Sequence, residues 1–161
     1  MLFSTYAALV AKKASTGQTR AAQIVEWMGG AKTEGCLLFD EAHKAKNLVP
    51  EKVAANGGIP KSAKSSQTAI ACQKAQQDCP LARVVYCSAT GASSLANLAY
   101  MERLGLWGPN TAFLNFRDFD RSVGDGGVGA MELIALDLKR RGMYICRQVA
   151  ADLYLHLYGT L

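Results

Sequence analysis

The chain has 161 residues, 50% of them hydrophobic, a formal net charge of +5 and a pI near 9.0. That is enough for one domain with a core, or part of one, and too little for two. No apolar run reaches the roughly eighteen residues of a membrane span, and the opening apolar stretch runs into Lys12 and Lys13, the reverse of a secretory signal, so a soluble intracellular protein with no membrane partner is expected.

The basic excess is spread over Lys12, Lys13, Lys44, Lys46, Lys61, Lys64 and the Lys139-Arg140-Arg141 run. It permits contact with nucleic acid, and equally describes solvated helix faces. The five cysteines, Cys36, Cys72, Cys79, Cys87 and Cys146, include no Cys-x-x-Cys pair, which argues against a zinc knuckle or a disulfide framework. They are expected to be small, buried, reduced hydrophobes.

In chain order, Leu2 to Tyr6 has the composition of a short strand, and Ala7 to Val10 adds a helical turn. Thr19 to Met28 predicts a helix, with Ala22, Ile24, Val25 and Met28 at helical spacing and Gly29-Gly30 as its stop. Cys36 to Phe39 is a continuous apolar run of the kind buried on both faces of a parallel sheet. Asn47 to Ser66, with Pro50, Pro60 and Gly57-Gly58, predicts a long exposed connection. Gln67 to Gln77 is helical, Cys79-Pro80 ends it, and Arg83 to Cys87 is a second buried-type strand. Ser93 to Leu104 predicts a helix, Gly105 to Asn110 a turn around Trp107, and Gly129 to Gln148 a helix interrupted at Gly142.

Strand, helix, strand is a βαβ crossover if the strands are parallel neighbours, and it brings the residues after Phe39 and those after Cys87 to one sheet edge. Asp40-Glu41-Ala42-His43 comes directly after the first strand. Two adjacent carboxylates at a strand end face different ways, so Asp40 can hold Mg²⁺ through its water shell while Glu41 orients an attacking water. His43 can hydrogen-bond toward the neighbouring strand end and couple the state of a γ-phosphate to the rest of the domain. Taken alone, the same four residues also describe a surface helix start with acids at its N-terminus. Ser88-Ala89-Thr90, after the second strand, offers hydroxyls that bridge to the carboxylates or cap the helix opening near Ser93.

No Gly-x-x-x-x-Gly-Lys-Ser/Thr phosphate loop occurs in the 161 residues. Gly29-Gly30-Ala31-Lys32-Thr33 imitates one, but it follows a helix and leads into a strand, the wrong order for a phosphate cradle. A helix C-cap and loop is the better account.

Several of these strings together resemble the strawberry notch family, helicase-like proteins of superfamily two, in their ATPase domain. They are Phe3-Ser4-Thr5-Tyr6, Phe39 to Asn47, Ala82 to Ser93, Arg103-Leu104-Gly105-Leu106-Trp107-Gly108 and Arg141-Gly142-Met143-Tyr144. The resemblance implies an α/β fold, a partial RecA-like P-loop NTPase domain over residues 1–148 with a parallel sheet flanked by helices, followed by a divergent tail over 149–161. It implies ATP and Mg²⁺ as cofactors, Asp40 and Glu41 as the metal and water carboxylates, and His43, Ser88, Ala89 and Thr90 as the coupling residues. It also implies a nuclear, chromatin-linked regulator of transcription, with DNA or chromatin and transcription regulators as partners. Family members carry a phosphate loop upstream of the Phe-x-Thr-Tyr region and a second RecA-like domain. Since neither lies in these residues, the chain is expected not to hydrolyse ATP alone. A non-catalytic protein- or chromatin-interaction module and a truncated gene product are the competing expectations.

Overall fold

A computed structural model describes residues 1–48, 65–88 and 95–145. The chain divides into two compact units, Met1–Gly124 and Asp125–Leu161.

Within the first unit, helix α1 (Tyr6–Leu9) is one turn long and α2 spans Arg20–Met28. Each starts on a threonine: Thr5 Oγ1 accepts from the Ala8 amide and Thr19 Oγ1 from the Ala22 amide, satisfying donors that a helix start leaves free. The Thr5 cap is why Leu2–Tyr6 is not the expected strand, for the cap fixes the chain as a helix entry at Tyr6 and residues 1–5 pair with no strand among the described residues. Helix α2 stops at Gly29, whose φ of 104° suits a residue without a Cβ. Gly30–Lys32 then forms a 3₁₀ turn leading to strand β1 (Cys36–Phe39), so this glycine pair is a helix cap.

Strand β2 (Arg83–Tyr86) pairs with β1 in parallel, Cys36 opposite Arg83 through Phe39 opposite Tyr86. Between them in sequence runs α3 (Gln67–Asp78), capped by Ser66, whose Oγ accepts from the Ala69 amide. The expected βαβ order is therefore present and the class is α/β. One face of the pair is covered: Leu37 packs with Val25, Ala75, Cys79 and Ala82. Phe39 stacks on Tyr86 at 5.8 Å, and Tyr100 meets both rings edge-on. The other face is open, with Leu38 61% and Val85 42% exposed. The expectation of strands buried on both faces fails here because α1, α2 and α3 gather on one side of a two-stranded sheet. Cys36, on the open face, is exposed for the same reason, whereas Cys72 and Cys79 are buried and Cys87 half-buried; these four thiols are free, and Cys146 lies outside the described residues.

The expected helix over Ser93–Leu104 is replaced, in its described part, by two 3₁₀ turns, Leu95–Leu98 and Glu102–Leu104. The break between them falls where Tyr100, Glu102 and Arg103 are all drawn onto α3 and β2. Gln76 Nε2 donates to the Tyr100 carbonyl at 2.9 Å, Gln73 Nε2 to Glu102 Oε1 at 2.6 Å, and Arg103 Nη2 to the Gln76, Cys79 and Pro80 carbonyls at 3.0–3.3 Å. The Glu102 and Arg103 side chains together with the Tyr100 carbonyl, turned to one neighbour over four residues, do not suit a continuous helix, whose carbonyls run along its axis. The turn around Trp107 follows, and then an element absent from the expectations, α4 (Phe116–Asp125). Its buried Phe116, Phe119 and Val123 lie on one helical face, and Trp107 and Phe113 complete an aromatic cluster against it.

In the second unit, α5 spans Gly127–Arg140, beginning two residues before the expected start, and the chain leaves it through Gly142 at φ 69°. The remainder of the expected helix beyond 145, and the tail 149–161, lie outside the described residues. Among the described residues no helix is long and apolar enough to cross a membrane.

Candidate functional site

The backbone just past β1 leaves the sheet along a path fixed at four points. The Cys87 amide donates to the Phe39 carbonyl at 2.9 Å, extending the ladder, and the Ala42 amide donates to the Cys87 carbonyl at 2.8 Å. Tyr6 Oη donates to the Asp40 carbonyl at 2.8 Å, and Tyr100 Oη donates to the Ala42 carbonyl at 2.6 Å. Between those last two carbonyls sits Glu41, left-handed at φ 50° and ψ 49°. A non-glycine residue there costs about 1–3 kcal/mol and persists where its surroundings over-determine it.

The following 3₁₀ turn, Ala42–Ala45, buries Ala42 and Ala45 completely against the neighbouring α3. Only small side chains suit that approach, and the turn leaves His43 and Lys44 facing outward. His43 Nδ1 lies 3.0 Å from Ser88 Oγ, just past β2, and 3.2 Å from Glu41 Oε2. One imidazole nitrogen thus faces both groups and carries at most one proton, so it can serve only one of them well. Here its geometry favours Ser88. Glu41 Oε2 is enclosed and accepts no hydrogen bond among the described residues, although the side chain as a whole is 43% exposed. An enclosed carboxylate oxygen without a donor is costly, and such an atom needs a proton, a water or a ligand group.

Asp40 is exposed, and its Oδ1 accepts the Glu41 amide at 3.0 Å, which orients the carboxylate while leaving Oδ2 free of that bond. A single exposed carboxylate of this kind fits Mg²⁺, which keeps most of its waters and takes one or two carboxylates. Among the described residues no group of three or more His, Cys, Asp or Glu side chains could hold a metal as an all-protein cage. Ala89 and Thr90 lie outside the described residues.

The tyrosines that pin this turn are firm proton donors. Burial first, then the Cys72 thiol and the nearby Asp40 and Glu41, push the Tyr6 hydroxyl well above its ordinary 10.0. Burial likewise raises Tyr100, with smaller contributions from Tyr6, Cys72 and Tyr86. Behind Tyr100 stands Gln76, fully buried, its Nε2 donating to the Cys72 and Tyr100 carbonyls and its Oε1 accepting from Tyr86 Oη. The Arg103 amide closes the network on Tyr86 Oη at 3.4 Å.

Asp40, Glu41, His43 and Ser88 are therefore placed together at the carboxyl ends of two parallel strands, where open α/β sheets collect ligands. The pinning residues Tyr100 and Gln76 carry no motif signal of their own. Tyr6 and Arg103 lie within the strings quoted for the family resemblance, but their contacts span dozens of residues and are invisible to local patterns.

Comparison with known proteins adds the lineage. A family model described as P-loop containing NTP hydrolase pore-1 matches residues 1–153. The chain is 50% identical over 153 residues to Protein strawberry notch of Drosophila melanogaster, covering 93% of this chain and 9% of that protein. It is 46% identical over 152 residues to human Protein strawberry notch homolog 1 and 47% identical over 152 residues to Protein FORGETTER 1 of Arabidopsis thaliana, again over 93% of this chain and 10% and 11% of theirs. The chain spans about a tenth of the length of these curated relatives. No solved structure matches it significantly. With Asp40-Glu41-Ala42-His43 at the end of a parallel strand and a family match over nearly its whole length, the chain belongs to the P-loop containing NTP hydrolase pore-1 family and is homologous to the strawberry notch proteins.

Proposed function

We propose that these residues are the hydrolysis and coupling part of a RecA-like, DEAH-box ATPase domain of strawberry notch type. In this reading Asp40 holds Mg²⁺ through water and Glu41 orients the attacking water. The ion, when bound, supplies charge neutralisation at the phosphate oxygens. His43 and Ser88, with Ala89 and Thr90, transmit the state of the γ-phosphate across the strand ends. The observation that carries the reading is the enclosed, donor-less Glu41 Oε2 standing 3.2 Å from an imidazole that also reaches Ser88. A water donated toward that oxygen satisfies it, and His43 then remains with Ser88. These 161 residues hold no Gly-x-x-x-x-Gly-Lys-Ser/Thr loop, and in this reading the segment does not turn over ATP by itself. We further propose, from the resemblance of its motif strings to the strawberry notch family, that the whole protein is a nuclear, chromatin-linked regulator of transcription acting with DNA or chromatin and transcription regulators.

The test is steady-state hydrolysis of Mg·ATP by the protein at its natural full length, with and without DNA. Glu41→Gln should lower kcat by about a hundredfold or more, in line with loss of a positioned water. Ser88→Ala should keep basal hydrolysis and lose stimulation by DNA. Turnover by Glu41→Gln at the unaltered rate refutes the assignment. A second reading, a non-catalytic module that binds a partner protein or chromatin, is favoured by the open sheet face at Leu38 and Val85. It predicts that Glu41→Gln leaves every cellular activity intact.

A further inference from the structure

Glu41 is the strained residue of the site, and both carbonyls that flank it end on tyrosine hydroxyls from distant parts of the chain. Tyr6 reaches the Asp40 carbonyl across 34 residues and Tyr100 reaches the Ala42 carbonyl across 58. Rotating Glu41 out of the left-handed region swings the Asp40–Glu41 peptide, which carries the Asp40 carbonyl, relative to Ala42 and the carbonyl of its following peptide, so both cannot stay on their donors. We propose that Tyr6 and Tyr100 are positioning residues that hold the backbone on either side of Glu41, Tyr6 at the peptide before it and Tyr100 at the peptide after Ala42, and thereby hold its carboxylate in the attitude hydrolysis requires. The proposal rests on the ATPase reading above for its catalytic consequence, and on the backbone geometry alone for the clamp.

The two hydroxyls suit that task. Tyr100 is fully buried, its ring set edge-on against Phe39 and Tyr86, so its hydroxyl has little freedom. Its own carbonyl is tied to Gln76 Nε2 at 2.9 Å, which ties the residue to α3. Tyr6 is the first residue of α1 and is half-buried, so its grip depends on where α1 sits. Neither hydroxyl contacts the Glu41 side chain. They act through its backbone.

Tyr86 supplies the control. It belongs to the same aromatic cluster and its hydroxyl is also satisfied inside the protein, but by Gln76 and not by the acidic box. Each Tyr→Phe change keeps the ring and deletes one oxygen, so a purely structural role predicts similar behaviour for all three variants.

The experiment compares Tyr6→Phe, Tyr100→Phe and Tyr86→Phe in the full-length protein, measuring kcat, KM for Mg·ATP and hydrogen exchange at residues 39–45. The expected result is a fall in kcat of about tenfold to a hundredfold for the first two at unchanged KM, and less than about twofold for Tyr86→Phe. The amide of Ala42 should exchange about tenfold faster in both clamp variants and at the unaltered rate in Tyr86→Phe. Unchanged kcat in Tyr6→Phe and Tyr100→Phe, or an equal loss in Tyr86→Phe, overturns the proposal. Should Tyr100→Phe fail to fold, Tyr6→Phe carries the test. If the unaltered protein shows no hydrolysis, the ATPase reading has failed, and the exchange data decide the clamp alone: faster exchange at Ala42 upholds it, unchanged exchange removes it.

Discussion

Replacing Gln76 by leucine tests the polar network behind the acidic box. Gln76 is 0% exposed, and its amide makes three hydrogen bonds: Nε2 to the Cys72 and Tyr100 carbonyls at 3.0 and 2.9 Å, and Oε1 from Tyr86 Oη. Leucine is close in size but leaves the Tyr86 hydroxyl proton and the Tyr100 carbonyl without these partners. Two buried polar groups orphaned at about 1–3 kcal/mol each, offset by about 1.5–3 kcal/mol from burying an apolar side chain, give a net loss of about 2 kcal/mol at their midpoints. Tyr86→Phe alone orphans Gln76 Oε1 and should cost about 1–3 kcal/mol. Because the double variant has already lost the shared bond, its cost should fall short of the sum by about 1 kcal/mol or more. Urea denaturation followed by the fluorescence of Trp27 and Trp107 measures all three. A Gln76→Leu protein within about 0.5 kcal/mol of the unaltered one, or strict additivity in the double variant, would refute the reasoning.

The Cys72 thiol is held neutral by burial, which pushes its pKa from 9.0 up to about 12. The unfolded chain loses that proton first, so the contribution is intact below pH 9 and drains away as pH rises toward 12, by up to about 1.4 kcal/mol per pH unit. Between pH 9 and 10, Cys72→Ala should flatten the fall in stability, with Cys79, Tyr6, Tyr86 and Tyr100, all raised by burial, supplying the remainder; an unchanged slope contradicts this. Phe119→Ala removes a ring that is 0% exposed and lies 5.3–6.0 Å from Trp107, Phe113 and Phe116. It should cost about 3–5 kcal/mol and shift Trp107 emission to the red. A loss below about 1 kcal/mol would mean that the aromatic cluster is not the anchor of α4.

The candidate-site end of the fold was legible because its signals are local. Cys36–Phe39 and Arg83–Tyr86 are apolar runs closed by polar residues, and Gln67–Asp78 is flanked by Ser66 and Cys79-Pro80, so strand, helix and strand could be read in order. The acidic box then fell at the sheet end by topology alone. The features that escaped depended on partners far along the chain. Leu2–Thr5 has strand composition but, among the described residues, no strand to pair with, and Thr5 turns it into a helix entry. Leu95–Leu104 has helical composition, yet Tyr100, Glu102 and Arg103 each satisfy a different group on α3 or β2, and those bonds outweigh propensity. Helix α4 was missed although Phe116, Phe119 and Val123 stand at helical spacing, because acidic and basic residues between them dilute the apolar signal. The positive φ of Glu41 and the tyrosines that fix it have no counterpart in any spacing rule.

The account stands or falls on whether Glu41 acts on the attacking water and not on nucleotide binding, and the most direct measurement is the state of the nucleotide held by Glu41→Gln. Full-length protein carrying that change is incubated with radiolabelled Mg·ATP, separated from free nucleotide, and its bound nucleotide identified. The account predicts ATP retained intact at near-stoichiometric occupancy while the unaltered protein holds ADP. Bound ADP in the variant, formed at the unaltered rate, would contradict it.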